Sequence, residues 1–270
     1  AKAMMIVRRE PTGIVRYLHL GTGNYNDRTA AHYTDFGYLT TREELARDLA
    51  LFFNAITGYS STPSLGQLVM APTALKARLC SLVKRETARS TPYSPGKIAA
   101  KMNALVDPEL IGLLYEASAA GVEVALNVRG ICCLRPGMRG VSDNIRVVSV
   151  VDHFLEHARI FHFHNGGDPE LYLSSADWMP RNLERRVELM FPILDPRLRE
   201  RALDVLLLPF RDTRNAHALE ADGSYVPVPP LPGEQPLRSQ EVLARQAQAA
   251  AVGADDASRR EMRVIRRKRR

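Results

Sequence analysis

Three observations place this chain in the α/β class. Between Leu68 and Val128 short apolar strand patterns alternate with helical ones, as in strands connected by packed helices. An apolar strand leading into a small-polar turn occurs twice, once from Lys2 to Asn26 and once from Glu156 to Trp178. Hydrophobic residues make up 45% and charged residues 25% of the 270 positions, the balance of a globular chain long enough to build real cores.

Ala3 to Val7 and Val15 to Leu20 read as short strands joined by a turn at Pro11-Thr12-Gly13. Thr41 to Ile56 reads as a helix, with Thr41 as its cap, Glu43 and Glu44 in the first turn, and Leu45, Leu49 and Phe52 or Phe53 on one face. Gly58 to Ser64 collects Gly, Ser, Thr and Pro, which suits a connection between domains. A strand at Leu68 to Met70 leads through Pro72 into a helix carrying Leu75, Leu79, Leu82 and Val83. After a loop from Ser90 to Gly96, a strand follows around Ile98 to Met102. Asp107-Pro108 opens a helix with Leu110, Leu113 and Leu114 on its apolar face, and Gly121 stops it. Val122 to Val128 is then a strand ending at Arg129-Gly130. Beyond Asp212 the chain becomes Pro-rich from Val226 to Pro236 and then Ala/Gln/Arg-rich. A helix is expected over Gln240 to Ala251, with the rest extended or disordered. The expected organisation is 1–64, 65–214 and a Pro-rich and basic tail at 215–270.

No apolar run reaches the length of a membrane span, and no signal-peptide pattern opens the chain. Cys80, Cys132 and Cys133 are too few and too badly spaced for a disulfide framework or a zinc site, which points to a reducing, cytoplasmic compartment. The net charge of +7 resides in the tail, where Ser258 to Arg270 holds eight basic residues and one acid. The body is electrically balanced. Such a run reads as a solvated tail, able to hold polyanions, rather than a specific reader of nucleic acid.

Aligned on one another, the two repeats set Lys2 against Arg159 and Gly21–Asn24 against Ser174–Asp177; the match to His157 falls one position before Ala1. A His-x-cation element followed by a small-polar turn suits phosphoryl chemistry. The imidazole attacks phosphorus or moves a proton, the cation projects from the same strand face, and the turn offers backbone amides. His157 is the sharpest candidate, with Glu156 before it, Arg159 at strand spacing, and Asp177 and Arg186 beyond the turn. Arg129 ends an apolar strand, where open α/β sheets bind ligands, although an arginine there also serves as a surface ion-pair partner. Gly21-Thr22-Gly23-Asn24 suits an anion or an ordinary tight turn; His19 reads equally as a core residue, and Tyr33 as a base-stacking or packing ring. Trp178 reads as core. His162 and His164 alternate with Phe161 and Phe163 as in a half-buried strand, with no carboxylate pattern to support a metal. Arg146, Arg181 and Arg186 are weaker candidates, since arginines are abundant and most are solvated. No phosphate-binding Gly-x-x-x-x-Gly-Lys-Ser/Thr loop occurs.

Several stretches together resemble the C-terminal catalytic domains of the polyphosphate kinase family. They are Tyr17-Leu-His-Leu-Gly-Thr-Gly-Asn-Tyr-Asn, Tyr33-Thr-Asp-Phe, Lys101-Met-Asn-Ala-Leu-Val-Asp, Asn127-Val-Arg-Gly, Gly140-Val-Ser-Asp-Asn-Ile-Arg and Tyr172-Leu-Ser-Ser-Ala-Asp-Trp-Met-x-Arg-Asn. The resemblance covers Ala1 to Thr213 and finds nothing in the tail from Asn215. It implies two phospholipase D-like α/β domains, the first incomplete, with a partly disordered C-terminal tail. It implies reversible transfer of the terminal phosphate of ATP to inorganic polyphosphate, with magnesium, through a phosphohistidine. That histidine belongs to a His-Ala-Lys motif of which Ala1-Lys2 are the last two positions, so it is expected just upstream of Ala1, with the magnesium ligands. The resemblance further implies nucleotide contacts at Tyr33, Arg129 and His157, a proton-transfer role for His157, phosphate contacts at Arg186 and Lys2, and a role for His19. ATP or ADP and polyphosphate are the implied partners, with a homo-oligomer and a peripheral membrane location as inherited expectations. Two other readings compete: a phospholipase D-type phosphodiesterase or nuclease, and a non-enzymatic polyanion-binding module. Against the first, Arg159 stands where those enzymes carry Lys and Asp177 where they carry Asn.

Overall fold

Two antiparallel strand pairs of the same register organise the molecule, whose computed structural model describes residues 1–11, 13–58 and 64–257. The first pair is β1 (Ala3–Glu10) with β2 (Gly13–Gly21), Ala3 lying opposite Leu20 and Glu10 opposite Gly13. Both strands run longer than their apolar residues alone suggested, because pairing continues through Arg8, Arg9 and Glu10 to the turn. After α1 (Asp27–Ala30) and β3 (Tyr33–Thr34), β4 (Gly37–Thr40) adds to β2, and α2 (Glu43–Thr57) packs behind. Thr41 does not cap α2. The helix starts after Arg42, and the hydroxyl of Thr40 accepts the Arg42 amide instead. Most of the expected connection from Gly58 to Ser64, like Thr12, lies outside the described residues.

The second unit runs through β5 (Val69–Ala71), α3 (Leu75–Arg89), β6 (Lys97–Met102), α4 (Pro108–Ala119), β7 (Glu123–Val128), β8 (Ile145–Val150), β9 (Leu155–Glu156), β10 (Arg159–Phe163), β11 (Glu170–Ser174), β12 (Glu188–Pro192), α5 (Pro196–Leu207), β13 (Ala216–Leu219), β14 (Tyr225–Pro227) and α6 (Ser239–Ala257). Nine of these strands form one sheet in the order β14-β13-β8-β7-β6-β10-β11-β12-β5, with β6, β7 and β8 parallel. Asp107 and Asp195 cap α4 and α5, each accepting two backbone amides ahead of a proline in the first turn. Strand alternation divides β10 between two cores. Phe161 and Phe163 pack with α3 and α4, whereas Ile160 packs with α2, α5 and β2 in the core the two units share. Trp178 is fully buried, as expected.

The tail corrects the sequence reading. Ala216–Leu219 pairs with β8 and extends the sheet past position 214, and Pro227 sits in the edge strand β14, where its missing N–H breaks no ladder. The proline content disguised this strand pair as irregular chain. The following segment is tied back by Thr213–Leu237 backbone pairing and by Ser239, whose amide and hydroxyl both donate to buried Asp212. The basic run from Ser258 to Arg270 lies outside the described residues. No described helix is long and apolar enough to cross a membrane.

Candidate functional site

The half-site repeat predicted from sequence is a repeat of register. Arg159 lies opposite Ser174 in the β10–β11 pair, and the Gly21 amide donates to the Lys2 carbonyl at the same place in the β1–β2 pair. From that anchor, Tyr38 and Phe191 fall at matching positions of β4 and β12, and their rings stack on one another at 6.3 Å and 7°. A pseudo-twofold relation therefore runs between the units. The parallel pairing of β3 with β9, Tyr33 opposite Leu155 and Thr34 opposite Glu156, clasps them together beside it.

His157 follows directly on that clasp. Its Nδ1 lies 2.9 Å from both oxygens of Asp35, a residue of the other unit, and Arg159 Nη1 donates to its Nε2 at 2.9 Å. These partners fit the tautomer with the proton on Nδ1 and the lone pair on Nε2. Asp35 is fixed in turn by the Thr22 hydroxyl at 2.6 Å, and Gly23 is required beside it, since a Cβ there would stand 2.5 Å from the carboxylate. The Tyr33 ring lies 5.0 Å from the imidazole, tilted by 42°.

Arg159 is itself locked by Asp177 through Nε at 3.1 Å and Nη2 at 2.8 Å, and Asp177 also accepts the amides of Asn103 and Ala104. Asn103 joins Arg129 to the histidine: its carbonyl accepts Arg129 Nε at 2.8 Å and its amide donates to the His157 carbonyl at 3.2 Å. Gly130 allows the backbones of β7 and the Asn103 turn to touch, because a Cβ would lie 2.9 Å from the Asn103 oxygen. The remaining nitrogens of half-buried Arg129 have no partner among the described residues, and so are available to an anion.

The pseudo-symmetric set in the other half-site is nearly complete. The Ser175 hydroxyl donates to Glu188 as Thr22 does to Asp35. The Ala1 nitrogen donates to the Val187 carbonyl at 2.7 Å, as the Ala158 amide does to Thr34, and it lies 3.4 Å from Glu188. Lys2 is half-buried among the charges of Glu188, Arg159, Asp35 and Asp177. Burial pushes its ammonium below the ordinary lysine range, Glu188 opposing and Arg159 adding to the shift. Asn24, aligned with Asp177, is exposed and does not hold Lys2, so the repeat diverges there.

His19 does not reach His157. Its Nδ1 bonds the Tyr25 hydroxyl at 2.7 Å, and it shares with Asn24, Tyr33, Asp35 and Gly37 an open cavity of about 270 Å³. Arg186 is exposed just past a π-turn at Arg181–Arg185, without a hydrogen bond or ion pair among the described residues, and its charge reaches Ala1. His162 lies under α5, where burial pushes its imidazole down to about 4. The residues that sequence reading missed are Asp35, Glu188 and Asn103. Asp35 and Glu188 each stand two positions before the residue opposite the matching turn, a spacing the repeat alignment contains once it is carried into β4 and β12.

A magnesium ion needs oxygen ligands that are free to coordinate. Here Asp35 is bound to Thr22 and His157, Asp177 to Arg159 and two amides, and Glu188 to Ser175 and Asn182. Among the described residues no group of three His, Cys, Asp or Glu side chains is placed to hold a metal. The residues present do not fit a resident magnesium ion.

Known proteins share this sequence and fold. The model for polyphosphate kinase C-terminal domain 2 matches residues 68–240, past the limit of the sequence resemblance, and that for C-terminal domain 1 matches residues 1–62. The chain is 55% identical over 246 residues to a polyphosphate kinase of Rhodopirellula baltica, covering 91% of this chain and 29% of that protein. It is 48% identical to a polyphosphate kinase of Synechocystis sp., covering 91% and 34%. The crystal structure of the Porphyromonas gingivalis polyphosphate kinase superposes with a TM-score of 0.87 at 36% identity, covering 93% of this chain and 39% of that one. The chain thus spans about a third of the length of these relatives, and it belongs to the polyphosphate kinase family.

Proposed function

We propose that the chain is the C-terminal catalytic portion of a polyphosphate kinase, moving the terminal phosphate of ATP reversibly to inorganic polyphosphate through a phosphohistidine just N-terminal to Ala1. The carrying observation is the carboxylate that crosses between units. Asp35 holds Nδ1 of His157, and Glu188 has the same serine or threonine partner and the same backbone contact beside it, which supports the reading that it holds Nδ1 of a histidine preceding Ala1. A carboxylate on Nδ1 leaves Nε2 as the reactive nitrogen of each ring.

In the first step Nε2 of the upstream histidine bonds to the γ-phosphorus while the bond from phosphorus to the ADP oxygen breaks. In the second, a terminal oxygen of polyphosphate bonds to that phosphorus and the P–N bond breaks. His157 exchanges a proton with the attacking or leaving oxygen through Nε2, which here accepts from Arg159. Lys2, Arg129 and Arg186 neutralise charge on the transferred group, and Tyr33 contacts the nucleotide. His19, which lines a cavity with Tyr33 and Asp35, sets the shape of that contact. Magnesium would supply further neutralisation of phosphate charge, and none of the residues present is assigned to hold it.

The test grafts this chain onto the upstream part of the Rhodopirellula baltica enzyme in place of its own C-terminal segment. The graft is expected to carry label from γ-labelled ATP into polymer, and His157→Ala or Glu188→Gln to reduce it by about 10²-fold or more. The chain alone is expected to incorporate none. A folded graft that makes no polymer, or a lone chain with His157-dependent phosphodiester hydrolysis, would overturn the reading.

A further inference from the structure

One buried carboxylate ties together three distant parts of the chain. Glu156, beside the reacting histidine, is 6% exposed and receives Lys101 Nζ from β6 at 2.7 Å, Gln240 Nε2 at 2.6 Å and the Thr34 hydroxyl at 3.3 Å. The Gln240 amide also acts as a strand partner for Phe154, accepting its N–H at 2.9 Å and donating to its carbonyl at 2.8 Å. Two residues earlier, Arg238 grips Asp152 with contacts of 2.5 to 3.1 Å. Residues 152–156 are thus held on one side by the segment returning from β14. On the other side they hold the first unit: the Leu155 amide donates to His32, and the His157 and Ala158 amides donate to Thr34. Tyr33 and Asp35 flank Thr34.

We propose that Gln240, fixed by Arg238, is a positioning residue that sets the distance between Asp35 and the His157 imidazole by clamping the strand pair between the units. The proposal rests on the reading that His157 is a reacting group. Glutamine is specifically suited, because it donates to Glu156 and accepts from Phe154 with one planar group. A carboxylate there would lack the donor and stand against the Glu156 charge.

The experiment labels the histidines of the full chain with ¹⁵N and reads, at fixed pH, which ring nitrogen of His157 carries the proton. The wild-type chain is expected to show the proton on Nδ1, and Asp35→Asn to lose that signature. Gln240→Ala and Gln240→Glu are expected to move the Nδ1 resonance toward that of an unprotonated nitrogen, the glutamate variant further. Arg85→Ala, which breaks the ion pair from α3 to Glu170 of β11, is expected to leave it in place. Near-UV dichroism of Trp178 checks that each variant is folded, and Arg238→Lys serves if Gln240→Ala is not. Wild-type His157 resonances in the folded Gln240 variants, or an equal shift of every histidine, would overturn the proposal. No turnover is read, so failure of the kinase reading and failure of the clamp remain separate results.

Discussion

Phe161 and Phe163 in β10 are fully buried, whereas Met4 and Ile6, at the same register positions of β1, are 46% and 51% exposed. The strands themselves are alike, each apolar on both faces, as strands covered on both sides usually are. What differs is the neighbours. The outer edge of β10 pairs with β6, and α3 and α4 cover its outer face. Among the described residues the outer edge of β1 carries no strand, and no helix covers Met4, Ile6 or the 76% exposed Leu39. The two half-sites therefore share a local framework while resting on unequal support, and among the described residues β1 presents an apolar face beside an unpaired strand edge.

The sharpest way to break this comparison is to truncate matching positions. Phe161→Ala is expected to cost about 3–5 kcal/mol, because a ring packed between α3, α4 and Trp178 leaves a cavity that the sheet cannot close. Met4→Ala is expected to change stability by less than about 0.5 kcal/mol. Urea denaturation of both variants measures the difference. A Met4 cost close to that of Phe161 would show that the first unit's outer face is covered in solution, by a second copy of the chain for instance.

The cations of the two half-sites offer the next contrast. Arg159→Ala strands the Asp177 carboxylate in a largely buried place, although the Asn103 and Ala104 amides still hold one oxygen. A loss of about 3 kcal/mol is expected, at the low end for a broken buried pair. The matching Lys2→Ala removes no such partner, since Asn24 stands where Asp177 would be, and is expected to be near neutral in the same denaturation measurement. Equal losses would mean that Lys2 has a partner comparable to Asp177.

How far the sequence foretold these differences depends on where each residue sits. The repeat was legible because Arg159 opens β10 and Lys2 directly precedes β1, so that a period of two and a shared turn fix the alignment. Arg129 was legible as the end of an apolar strand, and α4 through the Asp107-Pro108 start. Asp35 and Glu188 were not, because Asp35 lies in the irregular link between β3 and β4, Glu188 is a charged residue at the start of the short strand β12, and their partners come from tertiary packing. Gln240 was hidden for another reason: the proline-rich composition of its approach masks the pairing of β13 with β14.

The smallest expected effect tests whether Lys2 is held at a cost for function. Its ammonium is lowered by burial, so at neutral pH folding places a charge where it is disfavoured relative to the unfolded chain. Between that lowered value and the ordinary 10.5 the unfolded chain binds more protons than the folded one, and stability rises with pH across that window. Lys2→Gln is expected to be as stable as wild type or more so at pH 7, its advantage shrinking as pH approaches 10.5. Difference denaturation curves between the two chains isolate this from the tyrosines, which both share. On the reading that the cleft binds phosphate, added tripolyphosphate is expected to favour wild type over Lys2→Gln at pH 7. If it does not, the buried ammonium of the first half-site does not face the phosphate path.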